Sequence, residues 1–155
     1  LRGLSAEHIS RDLQHDGADL TAPELYNADF QRMMEGDIDD YHAGFDCSTR
    51  TRARFNQWDD FPASAAPLRT RKFPLDLPAN TTAEQAHTDK ATIMAVRSFD
   101  FATEMIQRHR SRGLRPPVSI EQPAIPEGNL ELPSAYLLPA GQRWLADPPG
   151  PDSRI

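Results

Sequence analysis

The side chains best suited to chemistry surround the only cysteine of the chain. Cys47 follows a predicted strand, and Arg50, Arg52 and Arg54 follow the cysteine at intervals of two. Nearby cations lower the pKa of a thiol, and guanidinium groups match the geometry of phosphate oxygens. The stretch therefore predicts a nucleophilic cysteine beside a phosphate-binding arginine cluster. The alternatives are an inert, buried cysteine and a solvated arginine loop.

The pattern of the chain predicts alternating strands and helices that position this cysteine. Helices are predicted from capping boxes at Thr21–Glu24 and Thr81–Glu84, and they end at Gly36 and Gly113. Strands are predicted over 4–12, 38–45 and 118–120, and a proline-rich stretch without periodicity covers 55–78. This order is typical of an α/β domain with a mostly parallel sheet.

Three candidate residues follow the predicted strands directly. Asp12, Cys47 and Glu121 lie at the carboxyl ends of the strands, where parallel sheets bind ligands. A cysteine nucleophile opposite a carboxylic acid suits addition to C6 of cytosine, with the acid interacting with the ring at N3. After this addition C5 is nucleophilic enough to accept a methyl group.

Other reaction classes fit the sequence less well. The five histidines form no recognisable pattern around Cys47, and His42 is interpreted as a packing residue. One cysteine makes a zinc site improbable, and no phosphate-binding glycine loop occurs in the sequence. No metal is therefore predicted.

The composition indicates one domain without a membrane span. The 155 residues carry a net charge of −6, yet residues 50–72 contain six basic and two acidic side chains. A single cysteine has no internal disulfide partner, which favours a reducing, intracellular compartment, either nucleus or cytoplasm. We predict a domain over 1–146 and a disordered tail over 147–155.

The segments Asp46-Cys47-Ser48-Thr49 and Ile120-Glu121-Gln122-Pro123 resemble motifs of the C5-cytosine methyltransferases. The similarity is closer to divergent domains in protist and algal retroelement-type polyproteins, and it covers residues 4–133. It implies a partial Rossmann-like methyltransferase sheet within a larger polypeptide, with the N-terminal strand and the glycine loop of the cofactor site absent.

The resemblance also implies roles for individual residues. Cys47 is the expected nucleophile and Glu121 the acid that contacts the ring. S-adenosylmethionine is the implied cofactor, with Asp12 at its ribose and Asp19 beside its adenine. DNA or another nucleic acid is the implied partner, contacted by the arginines after Cys47.

Two departures from the family pattern favour alternative functions. Asp46 stands where the family has proline, and this carboxylate is expected to raise the pKa of the neighbouring thiol. Gln122 stands where the family has asparagine. Together with the absent glycine loop, these departures favour a divergent or degenerate methyltransferase-like domain that is inactive as this fragment. A non-catalytic α/β interaction or nucleic-acid-binding domain is the alternative.

Overall fold

Two short parallel strands joined by one long helix form the centre of the described structure. The computed structural model describes residues 19, 21–45, 48–50, 67–114, 118–121 and 133–146. The elements are helix α1 (Pro23–Glu35), strand β1 (Tyr41–Ala43), helix α2 (Thr82–Ser111), strand β2 (Val118–Ile120), a 3-10 turn (Ala135–Leu137) and helix α3 (Pro139–Ala146).

Strands β1 and β2 pair in parallel, with Tyr41 opposite Val118, His42 opposite Ser119 and Ala43 opposite Ile120. Side chains alternate between the two faces of a strand, so Tyr41 and Ala43 pack towards the core while His42 is exposed. The parallel pairing of these strands is confirmed, although β1 is shorter than the predicted 38–45. The predicted strand 4–12 lies outside the described residues, and the wider Rossmann-like sheet stays a prediction.

Helix α1 ends where the sequence predicts but begins differently. Gly36 has a φ of 95°, and its N–H donates to the carbonyl oxygens of Arg32 and Met33. The predicted capping box at Thr21 is wrong, because the N-cap is Ala22 and no side chain caps the helix. The Thr21 hydroxyl instead donates to Asp19 Oδ1 at 2.6 Å.

Helix α2 supplies most of the core. Its predicted capping box is confirmed, with the Glu84 N–H donating to Thr81 Oγ1 at 3.3 Å and the Thr81 N–H donating to Glu84 Oε2 at 2.8 Å. One face buries Phe99 at the centre of the main cluster, and another buries Phe101 against α1. The helix therefore contacts β2, α1 and α3, and the ring of its Phe101 packs on Tyr41 of β1.

The C-terminal segment packs on α2 through aromatic side chains. Tyr136 and Trp144 lie with their ring centroids 5.6 Å and 6.3 Å from that of Phe99. Helix α3 is not among the sequence predictions. The predicted disordered tail over 147–155 and the boundary at 146 are not tested by the described residues.

Candidate functional site

Glu121 follows β2 and lies beside the segment that leads from the end of β1 towards Cys47. The Glu121 N–H donates to the Ala43 carbonyl oxygen at 2.7 Å, which extends the parallel ladder by one residue. A Cβ placed on Gly44 would lie 3.9 Å from Glu121 Oε2. The carboxylate therefore lies beside the backbone three residues before Cys47, and Cys47 itself lies outside the described residues.

His42 is a titratable neighbour of Glu121. Its Nε2 lies 3.9 Å from Glu121 Oε1, and the two side chains are 60% and 77% exposed. Its Nδ1 lies 2.7 Å from Ser119 Oγ on the paired strand. The interpretation of His42 as a packing residue is wrong, because strand alternation directs it to the outer face of the sheet.

The turn at 48–50, directly after Cys47, is held against α2. Ser48 Oγ lies 3.1 Å from His87 Nε2, and Arg50 Nη2 donates to Thr92 Oγ1 at 3.4 Å. Thr49 is buried and accepts a hydrogen bond from Arg69 Nε at 3.1 Å. The position of this turn therefore depends on the first half of α2 and on Arg69.

Arg50 is only 2% exposed, although it belongs to the arginine cluster predicted to bind nucleic acid. In this conformation its guanidinium contacts Thr92 on α2, so a phosphate contact would require the turn to move. Arg52 and Arg54 lie outside the described residues. The nucleic-acid role of all three arginines stays a prediction.

Asp19 lies before α1 and also contacts α2. Its Oδ1 accepts hydrogen bonds from the N–H of Thr21 at 2.8 Å and from its hydroxyl, while Lys90 Nζ donates to Oδ2 at 2.8 Å. The hydrogen bond from Lys90, followed by those from Thr21, lowers the pKa of Asp19 to about 2. The carboxylate is thus held ionised and ready to accept hydrogen bonds.

Of the two residues implied to contact S-adenosylmethionine, only Asp19 lies within the described residues. A carboxylate oxygen has about two acceptor sites, so Oδ2 of Asp19 retains one for a donor such as the amino group of adenine. Asp12, the predicted ribose ligand, lies outside the described residues. Asp19 therefore retains an acceptor site for such a donor, and its contact with the cofactor stays a prediction, as does the remainder of the cofactor site.

The structure brings several predicted residues to one stretch of α2. Lys90 binds Asp19, His87 contacts the turn after Cys47, and Thr92 binds Arg50. The sequence analysis missed His87, Thr92 and Arg69, because no local spacing relates residues that lie 20 to 42 positions from their partners in the turn. Arg69 is recognisable as a functional residue only by its buried charge, and burial cannot be read from the sequence.

The described ranges show neither a metal-binding cluster nor a membrane-spanning helix. These ranges contain no group of three or more His, Cys, Asp or Glu side chains that could hold a metal ion. Among the same residues, no helix has the length and apolar character needed to cross a membrane.

Comparisons with protein-family models, with curated proteins and with solved structures find no match to this chain.

Proposed function

We propose that this chain is a divergent C5-cytosine methyltransferase-like domain of a larger polypeptide, in which Cys47 is the nucleophile and Glu121 contacts the base. The observation that carries the proposal is the parallel pairing of β1 and β2, with Glu121 N–H bound to Ala43 at 2.7 Å. This pairing supports a shared crevice for Glu121 and the residues that follow β1. It also supports the assignment of both strands to a larger, mostly parallel sheet.

In the proposed reaction the thiolate of Cys47 adds to C6 of cytosine and forms a sulfur–carbon bond. The electrons of the C5–C6 double bond move into the ring. Glu121 stabilises the resulting negative charge by a proton or a hydrogen bond at N3. C5 then accepts an electrophile and loses its original proton, after which the thiolate leaves. S-adenosylmethionine, when bound, supplies the methyl group for this step.

The proposal is tested by the exchange of the cytosine C5 hydrogen with water, which needs nucleophilic addition but no methyl donor. The full chain is incubated with DNA that contains cytosine tritiated at C5, and released tritium is counted. Tritium release above the protein-free control is expected, and Cys47→Ser should abolish it. Glu121→Gln should slow it by about 10²- to 10⁴-fold, the usual contribution of a general acid.

Glu35→Gln is the matched control, since Glu35 is an exposed carboxylate on α1 that hydrogen-bonds Gln31. This variant should exchange at the unmodified rate. Exchange that persists in Cys47→Ser, or no exchange by the folded unmodified chain, would overturn the proposal. Parallel reactions with tritiated RNA identify the class of nucleic acid.

A non-catalytic nucleic-acid-binding or interaction domain is the second candidate. The exposure of Glu121, at 77%, favours it, because catalytic carboxyl groups usually act in enclosed sites that exclude water. This candidate predicts nucleic-acid binding without tritium release. If binding is measured, the Arg52→Ala and Arg54→Ala variants should weaken it and reduce its dependence on salt.

A further inference from the structure

Three polar side chains lie in a row on the outer face of the paired strands. His42 and Ser119 are opposite each other in the parallel register, and Ser119 Oγ lies 2.7 Å from His42 Nδ1. On the other side of the imidazole, Glu121 Oε1 lies 3.9 Å from Nε2. All three residues are exposed. Of these three residues, only Glu121 has a role in the proposed methyltransferase reaction.

This order of groups is that of a nucleophile, a base and an orienting acid. Nucleophilic serines are recognised by a base within hydrogen-bond reach and by a third group that orients the base. When Nε2 of His42 carries the ring proton, Nδ1 is free to accept the proton of the Ser119 hydroxyl. The Glu121 carboxylate, 3.9 Å from Nε2, lies within ion-pair range of the imidazolium that forms.

We infer that Ser119, His42 and Glu121 form a second reactive centre, in which Ser119 is a nucleophile towards small activated esters. The Ser119 oxygen forms a bond to the carbonyl carbon, and its proton moves to His42 Nδ1. The bond to the leaving oxygen breaks, and His42 returns the proton to that oxygen. Water, deprotonated by the same imidazole, then releases the acid and regenerates the serine.

The position of the three residues determines the class of substrate. They lie on an exposed sheet face, so an ester must approach from solvent and must itself be reactive. Small activated esters and fluorophosphonates meet this condition. The inference does not depend on Cys47 or on the methyltransferase proposal.

The test is covalent labelling of the full chain with a fluorophosphonate, followed by peptide mass spectrometry. The serine oxygen bonds to phosphorus, fluoride leaves, and the serine proton passes through His42 to solvent. The label is expected on Ser119, and Ser119→Ala should remove it. His42→Gln should reduce the labelling rate at least tenfold, and Glu121→Gln should reduce it by a smaller factor.

Two other serines provide the controls. Ser111 is exposed and donates to the Arg108 carbonyl oxygen at 2.7 Å, so Ser111→Ala should leave labelling unchanged. Ser48 also contacts a histidine, His87, at 3.1 Å. Labelling of Ser48 in place of Ser119, an unlabelled native chain, or an equal labelling rate in His42→Gln would each overturn the inference.

Discussion

Replacement of Arg69 by methionine tests whether one buried guanidinium holds the turn after Cys47 against α2. Arg69 is 0% exposed. Nε donates to Thr49 Oγ1 at 3.1 Å, and Nη1 donates to Thr92 Oγ1 at 2.8 Å and to the Pro74 carbonyl oxygen at 2.9 Å. Nη2 donates to the Thr88 carbonyl oxygen. One side chain thus joins the turn, the 67–77 segment and the helix.

The magnitude follows from these four hydrogen bonds. Each hydrogen bond from a charged donor contributes about 1.5–3 kcal/mol, so four contribute roughly 6–12 kcal/mol. The cost of burying the cation offsets several kcal/mol of this sum. Methionine fills similar space without a cavity, but it leaves the Pro74 oxygen without this donor. We therefore expect Arg69→Met to lower the free energy of unfolding by about 3 kcal/mol.

Lysine should not restore the interaction. Its ammonium has three donors at one point and lacks the planar fork that reaches Thr49, Thr92 and Pro74 together. We expect Arg69→Lys to lose about 2 kcal/mol or more, because a buried charge remains with fewer hydrogen bonds.

The assay is urea unfolding at neutral pH with linear extrapolation to water. Arg71, two residues further along, is exposed and provides the matched control. Arg71→Met should change the free energy of unfolding by less than about 0.5 kcal/mol. A loss below about 1 kcal/mol for Arg69→Met, or a loss equal to that of the control, would refute the reasoning.

Two further predictions concern packing and ionisation. In Gly141→Ala, the new Cβ would lie 2.5 Å from the Ala135 carbonyl oxygen and 2.7 Å from Tyr136 Cα, so α3 must shift. Overpacking should outweigh the better helix propensity by about 2 kcal/mol, and calorimetry should show a Tm about 4–8 °C lower. An unchanged Tm would contradict the packing of α3. Burial raises the pKa of Tyr26 to about 12 and also raises the pKa of Tyr41 and Tyr136. Little phenolate absorbance is therefore expected from the native chain at pH 10, where the urea-unfolded chain should be about half ionised. The stabilisation by these neutral phenols is complete below pH 10 and is lost as the pH rises towards 12. Equal absorbance of native and unfolded chains at pH 10 would contradict their burial.

Local sequence features predicted the elements that depend on neighbouring residues. Thr81 and Glu84 determine where α2 begins, because a capping box involves residues three positions apart. Gly36 ends α1 because its positive φ is readily adopted by glycine. The start of α1 was assigned wrongly because the Thr21 hydroxyl bonds to Asp19 instead of capping the helix.

Helix α3 illustrates what local patterns cannot predict. Its eight residues are too few for a helix that is stable by itself in water. It is stabilised where Trp144 packs against Phe99, 45 positions earlier in the chain. The sequence analysis did not predict this helix.

For the candidate site, the sequence by itself determined the residue types, the strands and their parallel pairing, which places Glu121 beside Gly44. Only the tertiary structure decided that His42 lies between Ser119 and Glu121, and that Arg69 holds the turn after Cys47. The reason is physical. Periodicity and capping act over a few residues, whereas the His42–Ser119 contact joins positions 77 apart through the pairing of β1 with β2.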